Sequence, residues 1–420
     1  MSGSTASLAR TFGKMIKVSA IDIRCITFAE GIGGYWVNDQ PAVQAGATRD
    51  GFFFKGDPVT PGFKAIREPS TAYCVTVELA DGQLAYGDCV TVFNAGCAGR
   101  PRPLRAAHLP TVQEECGRLF DGKSFKGFRD AADALSGLSQ ESWTLPVAFG
   151  ISQALLSAAA LHKRVPMARV LMDEYGLTLP AAPPQFAGSC GGEWELNVDK
   201  AIARRLAMFP QSAIQTRSEC EKLPDYVSWI VRRVGELAGL GYVPDLHFDF
   251  HASLGRMFGN DEDRVCDYLA DIVKRAGPFK VYFEDPMLSA SADEALDRMS
   301  RLRERFDSRG PHCGLIADEW ANAPEEMLRF ASGKAAHAIQ IKVPDNGSLV
   351  TAIDAVRTCR EHGILPYLGG SCNETDISAR ATVHVGIAFG AWRLFTKPGM
   401  GFDEGLMVMT NEMSRTFARL

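Results

Sequence analysis

Residues 245–342 hold four short apolar runs, each closed by an ionisable side chain: DLHFDF (245–250) with Asp249, KVYFED (280–285) with Glu284, GLIADE (314–319) with Asp318, and AIQIK (338–342) with Lys342. The three acids recur at steps of about 35 residues, the length of one strand-plus-helix unit of a parallel barrel. In such a barrel the C-terminal ends of neighbouring strands converge on one mouth. Three carboxylates there form a site for a hard divalent cation, Mg²⁺ or alternatively Mn²⁺, since both prefer oxygen ligands. Lys342, on the next strand, is the expected base. A cation beside it and an apolar strand behind it should lower its ammonium pKa toward the range where the neutral amine can take a proton.

Working outward, from about residue 179 the chain alternates short apolar runs with charged amphipathic segments. The runs are PPQFAG, SAIQT, DLHFDF, KVYFED, GLIADE, HAIQIK, ILPYLGG and RLFTK, separated by helical patterns such as DRVCDYLADIVKRAG and SLVTAIDAVRTCREHG. Eight runs with helices between them predict an α/β fold, a closed (β/α)8-type barrel over 179–420. No GxGxxG or GxxxxGK[ST] follows a strand, which removes the usual nucleotide-binding readings.

Ahead of the barrel, residues 16–178 read as an α+β capping domain. Ile16 to Phe28 is strand-like, and TAYCVTVELADGQLAYGDC (71–89) predicts a hairpin turning at Asp81-Gly82. Between them, GATRDGFFFKGDPVTPGF (46–63) is either a lid over the barrel mouth or a loop packed on its own domain. SWTLPVAFGISQALLSAAALHKR predicts a buried helix starting near Thr144, with Pro146 in its first turn. Residues 1–15 are expected to be a disordered leader ahead of a natural start near Met15.

At 420 residues the chain has room for a barrel plus a second module. A net charge of −5 gives no footprint for nucleic acid, so the expected partner is a small molecule, a carboxylate given the cation site. Eleven cysteines without CxxC pairs argue against a disulfide framework and a structural zinc, and so for a reducing, cytoplasmic compartment. No membrane span is expected, because the apolar run after Leu145 is interrupted by Gly150, Ser152 and Gln153 before about 18 residues.

Other residues extend the site. Gln340 shares a strand face with Lys342 and can reach a substrate carboxylate, or is a polar residue of the barrel layer. In LGGSCNET (368–375) the glycines let backbone N–H groups face an anion, with the Ser371 hydroxyl alongside. Cys372 is either a nucleophile or a packed thiol. In HFDFH, alternation puts His247, Asp249 and His251 on one face, open to reading as a transition-metal cluster, although Glu284 and Asp318 already complete a hard-ligand set.

At these residues the chain resembles the methylaspartate ammonia-lyase family of the enolase superfamily, through GFFFKGDPVTPGF, LIADEWAN, IQIKVPD, GGSCNET and KPGMGFDEG. The resemblance implies a capping domain on a modified barrel and a homodimer. It also implies Mg²⁺ on Asp249, Glu284 and Asp318, with Lys342 as base and Gln340, Ser371 and Cys372 lining the substrate site. The implied reaction is elimination of ammonia from 3-methylaspartate to give mesaconate.

Several positions depart from the family pattern. Gln211 stands where the family has a histidine acid/base, and Gly188 and Phe93 each replace a glutamine. Ser371 replaces a threonine. These changes suggest extra space at Gly188 and a larger or less polar substrate group, with His251, in place of a tyrosine, as a candidate replacement acid/base. The alternative reading is a superfamily enzyme with the same proton abstraction acting on another carboxylic acid, as a dehydratase or a racemase/epimerase.

Overall fold

The computed structural model describes residues 20–420 except 192, 240, 309 and 311; the expected leader, 1–15, lies outside the described residues. The N-terminal part contains β1 (Ile21–Asn38), β2 (Thr48–Asp50), β3 (Phe53–Lys55), β4 (Arg67–Leu79), β5 (Leu84–Cys89) and β6 (Ser124–Phe125). β5-β4-β1-β6 form an antiparallel sheet, and β2-β3 a separate hairpin. The β4–β5 turn contains Asp81 and Gly82, with Gly82 at φ +83°, a left-handed conformation that glycine adopts without steric cost.

β1 runs ten residues beyond the expected Phe28, to Asn38. Gly34 lets this strand pass close to its neighbour: a Cβ there would stand 2.6 Å from the Glu374 carbonyl oxygen. The strand thereby carries Tyr35 and Trp36 into an aromatic cluster with Phe52, Phe53 and Phe93. The 46–63 segment is thus anchored to its own domain, with the Arg67 guanidinium over the Phe52 and Phe54 rings.

The predicted buried helix spans Thr144–Lys163 and packs on β4 and β5. It corrects one expectation, since by length and composition it could cross a membrane. Its interrupting residues do not break it. Ser152 donates to the Phe149 carbonyl, and the Gln153 amide reaches the Asp88 backbone, while a Cβ at Gly87 would lie 2.0 Å from the Gly150 carbonyl oxygen. The helix is mostly buried as the core of this domain.

The second part is a closed parallel barrel of β7 (Gln185–Ala187), β8 (Met208–Ala213), β9 (Asp245–Asp249), β10 (Val281–Glu284), β11 (Cys313–Ala317), β12 (Ala338–Ile341), β13 (Leu365–Leu368) and β14 (Arg393–Phe395). Seven strands fall on the expected runs. The eighth, β8, is MFPQSA rather than SAIQT: the strand begins ahead of Pro210 and has a register shift there, next to Gln211 at φ +43°, a bulge that accommodates the proline.

Ala187, Met208, Tyr282, Ile316, Ala338, Tyr367 and Phe395 fill the barrel interior, apart from the larger core between strands and helices. The helix Glu262–Ala276 shows how the outer layer forms. Asp261 caps it by accepting from the Asp263 and Arg264 N–H groups, and Val265, Leu269 and Ile272 at helical spacing face the barrel. Burying each such side chain contributes about 1.5–3 kcal/mol.

Candidate active site

Asp249 and Glu284 are directly paired residues at the ends of β9 and β10, and Asp318 follows the end of β11. All three are buried. Lys342 ends the run of β12, with its Nζ 2.5 Å from Asp318 Oδ2. The expected acids and lysine therefore converge on one barrel mouth.

Each acid has distinct partners. Asp249 Oδ2 lies 3.0 Å from His251 Nε2 and accepts from Gln211 Nε2 at 3.1 Å. Glu284 Oε1 accepts from Gln340 Nε2 at 2.6 Å, and its Oε2 lies 2.7 Å from His247 Nε2. Asp318 Oδ1 accepts from Arg100 Nη2 at 3.0 Å. Arg100 also binds Glu319, and its Nε reaches Asp345 at 2.8 Å. Asp285 Oδ2 in turn accepts the backbone N–H groups of Asp318 and Glu319.

The charges do not balance. Asp249, Glu284, Asp285, Asp318, Glu319 and Asp345 face three cationic groups, Arg100, His251 and Lys342. Burial, then Asp249 and Asp318, push the Glu284 carboxyl well above its ordinary value. Burial and the charges of Asp318 and Glu319 do the same to Asp285. Such crowding in a low dielectric is the setting in which a divalent cation binds, because it offsets the mutual repulsion.

Two ligand sets share Asp318. Ligand atoms of Asp285, Asp318 and Glu319 lie within 4.8 Å of one another. Asp285, however, is occupied by two backbone N–H groups, and Glu319 by Arg100 and His251. Among the described residues Glu284 has only the neutral His247 within ion-pair distance, so the uncompensated charge lies toward the strand-end set of Asp249, Glu284 and Asp318.

The carboxylates around Lys342 set its charge. Burial alone would lower its pKa, but Asp318, with Glu319 and Glu284, raises it above the ordinary lysine value, so the side chain is an ammonium. A divalent cation on Asp318 would compete for the same oxygens and draw the ammonium back down.

His251 also differs from its expected placement. β9 ends at Asp249 and the chain turns at His251, φ +42°, so strand alternation does not orient it. Its ring nevertheless bridges Asp249 and Glu319, each at 3.0 Å. Burial would lower this imidazolium, but the two carboxylates hold it up at about 10. His247 points into the barrel at Glu284, and burial drops it to about 4, a neutral ring bracing a carboxylate. His247, Asp249 and His251 thus do not form the histidine-rich metal cluster.

The substrate-end expectations fare unevenly. Gln340 is engaged with Glu284, and Gly369 lies against it: a Cβ there would be 2.4 Å from Gln340 Cγ. The Ser371 N–H and hydroxyl do grip an anion, but it is the chain's own Glu374, with Ser371 Oγ 2.5 Å from Oε2. Lys397 Nζ stands 3.3 Å from Glu374 Oε1. Burial pushes the Cys372 thiol up to about 12, which rules out a resting thiolate nucleophile. Phe93 packs on Tyr35, and its N–H donates to the Ser371 carbonyl at 2.9 Å, tying the capping domain to this loop.

The expected space at Gly188 is absent. A Cβ there would meet Leu206 Cδ1 at 2.6 Å and Phe402 Cε2 at 3.1 Å. Its neighbour Ala187 belongs to the interior layer, so strand alternation turns position 188 toward the outer wall.

Sequence reasoning missed Arg100, Asp285, Glu319, Asp345, Glu374 and Lys397. Asp285 and Glu319 carried a readable signal, since they double the acids at their strand ends. Lys397 closes the RLFTK run as Lys342 closes its own. Arg100 carried none, because it comes from the other domain.

The models described as methylaspartate ammonia-lyase N-terminus and C-terminus match residues 21–176 and 178–420. Methylaspartate ammonia-lyase 1 of Carboxydothermus hydrogenoformans is 37% identical, covering 95% of this chain and 97% of its own length. The structure of the Citrobacter amalonaticus methylaspartate ammonia lyase containing (2S,3S)-3-methylaspartic acid superposes with a TM-score of 0.90 at 35% identity, covering 95% of this chain and 99% of that one. The Mg complex of β-methylaspartase from Clostridium tetanomorphum gives 0.86 at 34% identity with the same coverage. A muconate cycloisomerase from Pseudomonas fluorescens, at 16% identity and a TM-score of 0.59, shares the fold.

Proposed function

The chain belongs to the methylaspartate ammonia-lyase family, and on that premise we propose that it eliminates ammonia from 3-methylaspartate, giving mesaconate. It is a Mg²⁺-dependent carbon–nitrogen lyase. The observation that carries the reading is the buried Lys342 Nζ against Asp318, on the strand next to two further strand-end acids.

Asp249, Glu284 and Asp318 would hold the ion. Bound there, Mg²⁺ neutralises a substrate carboxylate and stabilises negative charge developing on it. Lys342 takes the proton from the carbon next to that carboxylate. The electron pair forms the carbon–carbon double bond, the carbon–nitrogen bond breaks, and the protonated amine departs as ammonia. His247 and Gln340 hold Glu284 from both oxygens, and Arg100 holds Asp318. We propose His251, which bridges Asp249 and Glu319, as the replacement acid/base.

The Gln211 amide favours a second reading. Where the family has a histidine, this amide donates to Asp249, and an amide exchanges no proton at neutral pH. Proton abstraction by Lys342 would then serve a different carboxylic acid. Incubation with mesaconate, ammonium and Mg²⁺ tests the first reading: the double-bond ultraviolet absorbance falls if the chain is a methylaspartate lyase. Solvent deuterium entering another carboxylic acid, with no change on mesaconate, supports the second.

The proposal extends to a homodimer, supported by the family resemblance and testable by light scattering. It also extends to a cytoplasmic location, supported by eleven cysteines spaced without CxxC pairs.

A further inference from the structure

Away from the barrel mouth, a cavity of about 760 Å³ opens on the seam between the capping domain and the barrel. Arg129, Glu174 and Tyr175 line it from one side, and Arg357, Arg360, Glu361 and Phe389 from the other, so that three guanidiniums face two carboxylates. The barrel-side groups lie at the C-terminal ends of the helices Leu349–Glu361 and Asp376–Phe389, whose N-termini follow the Lys342 and Ser371 loops. One helix length, about 20 Å, therefore separates the cavity from the reaction site.

The three guanidiniums keep most of their N–H groups unspent. Arg129 stacks on Tyr175, 4.6 Å from the ring centroid, and gives one long contact, 3.5 Å, to the Glu174 carbonyl. Arg360 gives one bond to the Phe389 carbonyl at 2.7 Å. Arg357 stands 3.5 and 4.0 Å from Asp354 and Glu361, both solvated, so these pairs are weak. Glu174 adds little opposing charge, because its carboxylate is taken by the Phe128 and Arg129 N–H groups and by Lys163. The Tyr175 hydroxyl is buried with no hydrogen-bond partner among the described residues. An arriving acceptor would satisfy this orphaned buried donor.

We infer that this cavity is a second binding site, for a small polyanion bearing carboxylate or phosphate groups, clamped by Arg129, Arg357 and Arg360 and accepting the Tyr175 hydroxyl. The volume suits a metabolite-sized ligand. Planar guanidinium forks match both oxyanions, so the two sources share one recognition chemistry.

Calorimetry on the Mg²⁺-loaded full chain tests this, with tricarballylate and glycerol 2-phosphate as probes at constant ionic strength. The expected result is one equivalent more bound by the wild type than by the Arg357→Ala/Arg360→Ala double variant. Tyr175→Phe, which removes only the hydroxyl, should weaken that equivalent by about fivefold, as expected for one hydrogen bond. The probe bound more tightly identifies the carboxylate or the phosphate source. Absence of saturable binding by either probe would overturn the inference. So would a stoichiometry unchanged in the double variant while Tyr175→Phe binds as the wild type.

Discussion

Arg100 Nη2 lies 3.0 Å from Asp318 Oδ1, so an acid expected to hold the cation is oriented by an arginine from the other domain. The guanidinium is fully buried and spans Asp318, Glu319 and Asp345. Removing it leaves the buried Asp318 and Asp345 and the partly buried Glu319 without their shared counter-charge.

Arg100→Ala is therefore expected to lose about 3–5 kcal/mol of stability. Arg100→Lys keeps the charge without the fork, and should stay folded while the elimination rate falls about tenfold or more. Thermal melts alongside steady-state rates separate the two effects.

Gln211 offers a gain-of-function test. Its amide already reaches Asp249, so a histidine there would stand at the mouth as a titratable group. Gln211→His is expected to raise turnover of 3-methylaspartate, up to the roughly 100-fold that a positioned acid/base supplies. An unchanged rate would show that the missing imidazole does not limit this chain.

Gly188 faces Leu206 and Phe402 rather than the substrate. Gly188→Gln should therefore destabilise by about 1–3 kcal/mol through overpacking. Tighter substrate binding in that variant would contradict the placement.

Acid stability should depend on Glu412, which joins the C-terminal helix Phe402–Phe417 to the helix Asp376–Phe389. The hydrogen bond from His384, opposed by burial and reinforced by Arg380 and Arg415, brings its carboxyl down to about 2. A depressed carboxyl stabilises above its unfolded value near 4.5, and the contribution fades as pH falls from there toward 2. Discounted for solvent screening, it amounts to about 1–2 kcal/mol. Glu412→Gln should lose that stability at neutral pH and show a flatter melting profile between those two values.

The barrel was legible because strand-end acids recur at the strand–helix period, a local pattern set by chain geometry. β8 was not, because the bulge beside Pro210 that lets the strand begin at Met208 is a tertiary accommodation. The acids and Lys342 could be located from spacing, but not the protonation state of Lys342, which depends on how near Asp318 the fold brings it. Ser371 shows the same limit: an anion-gripping loop is readable, but that its anion is Glu374, three residues on, depends on the turn. Arg100 and the packing of Gly188 against Phe402 arise from contacts hundreds of residues apart, where no local pattern reaches.

Proton abstraction by Lys342 is most directly tested by incubating wild type and Lys342→Ala with 3-methylaspartate and Mg²⁺ in deuterium oxide, following exchange at the carbon next to the carboxylate. Exchange and ammonia release by the wild type, both reduced about a hundredfold or more in a variant that melts as the wild type does, is the predicted result. Undiminished exchange in Lys342→Ala would contradict the assignment of the base.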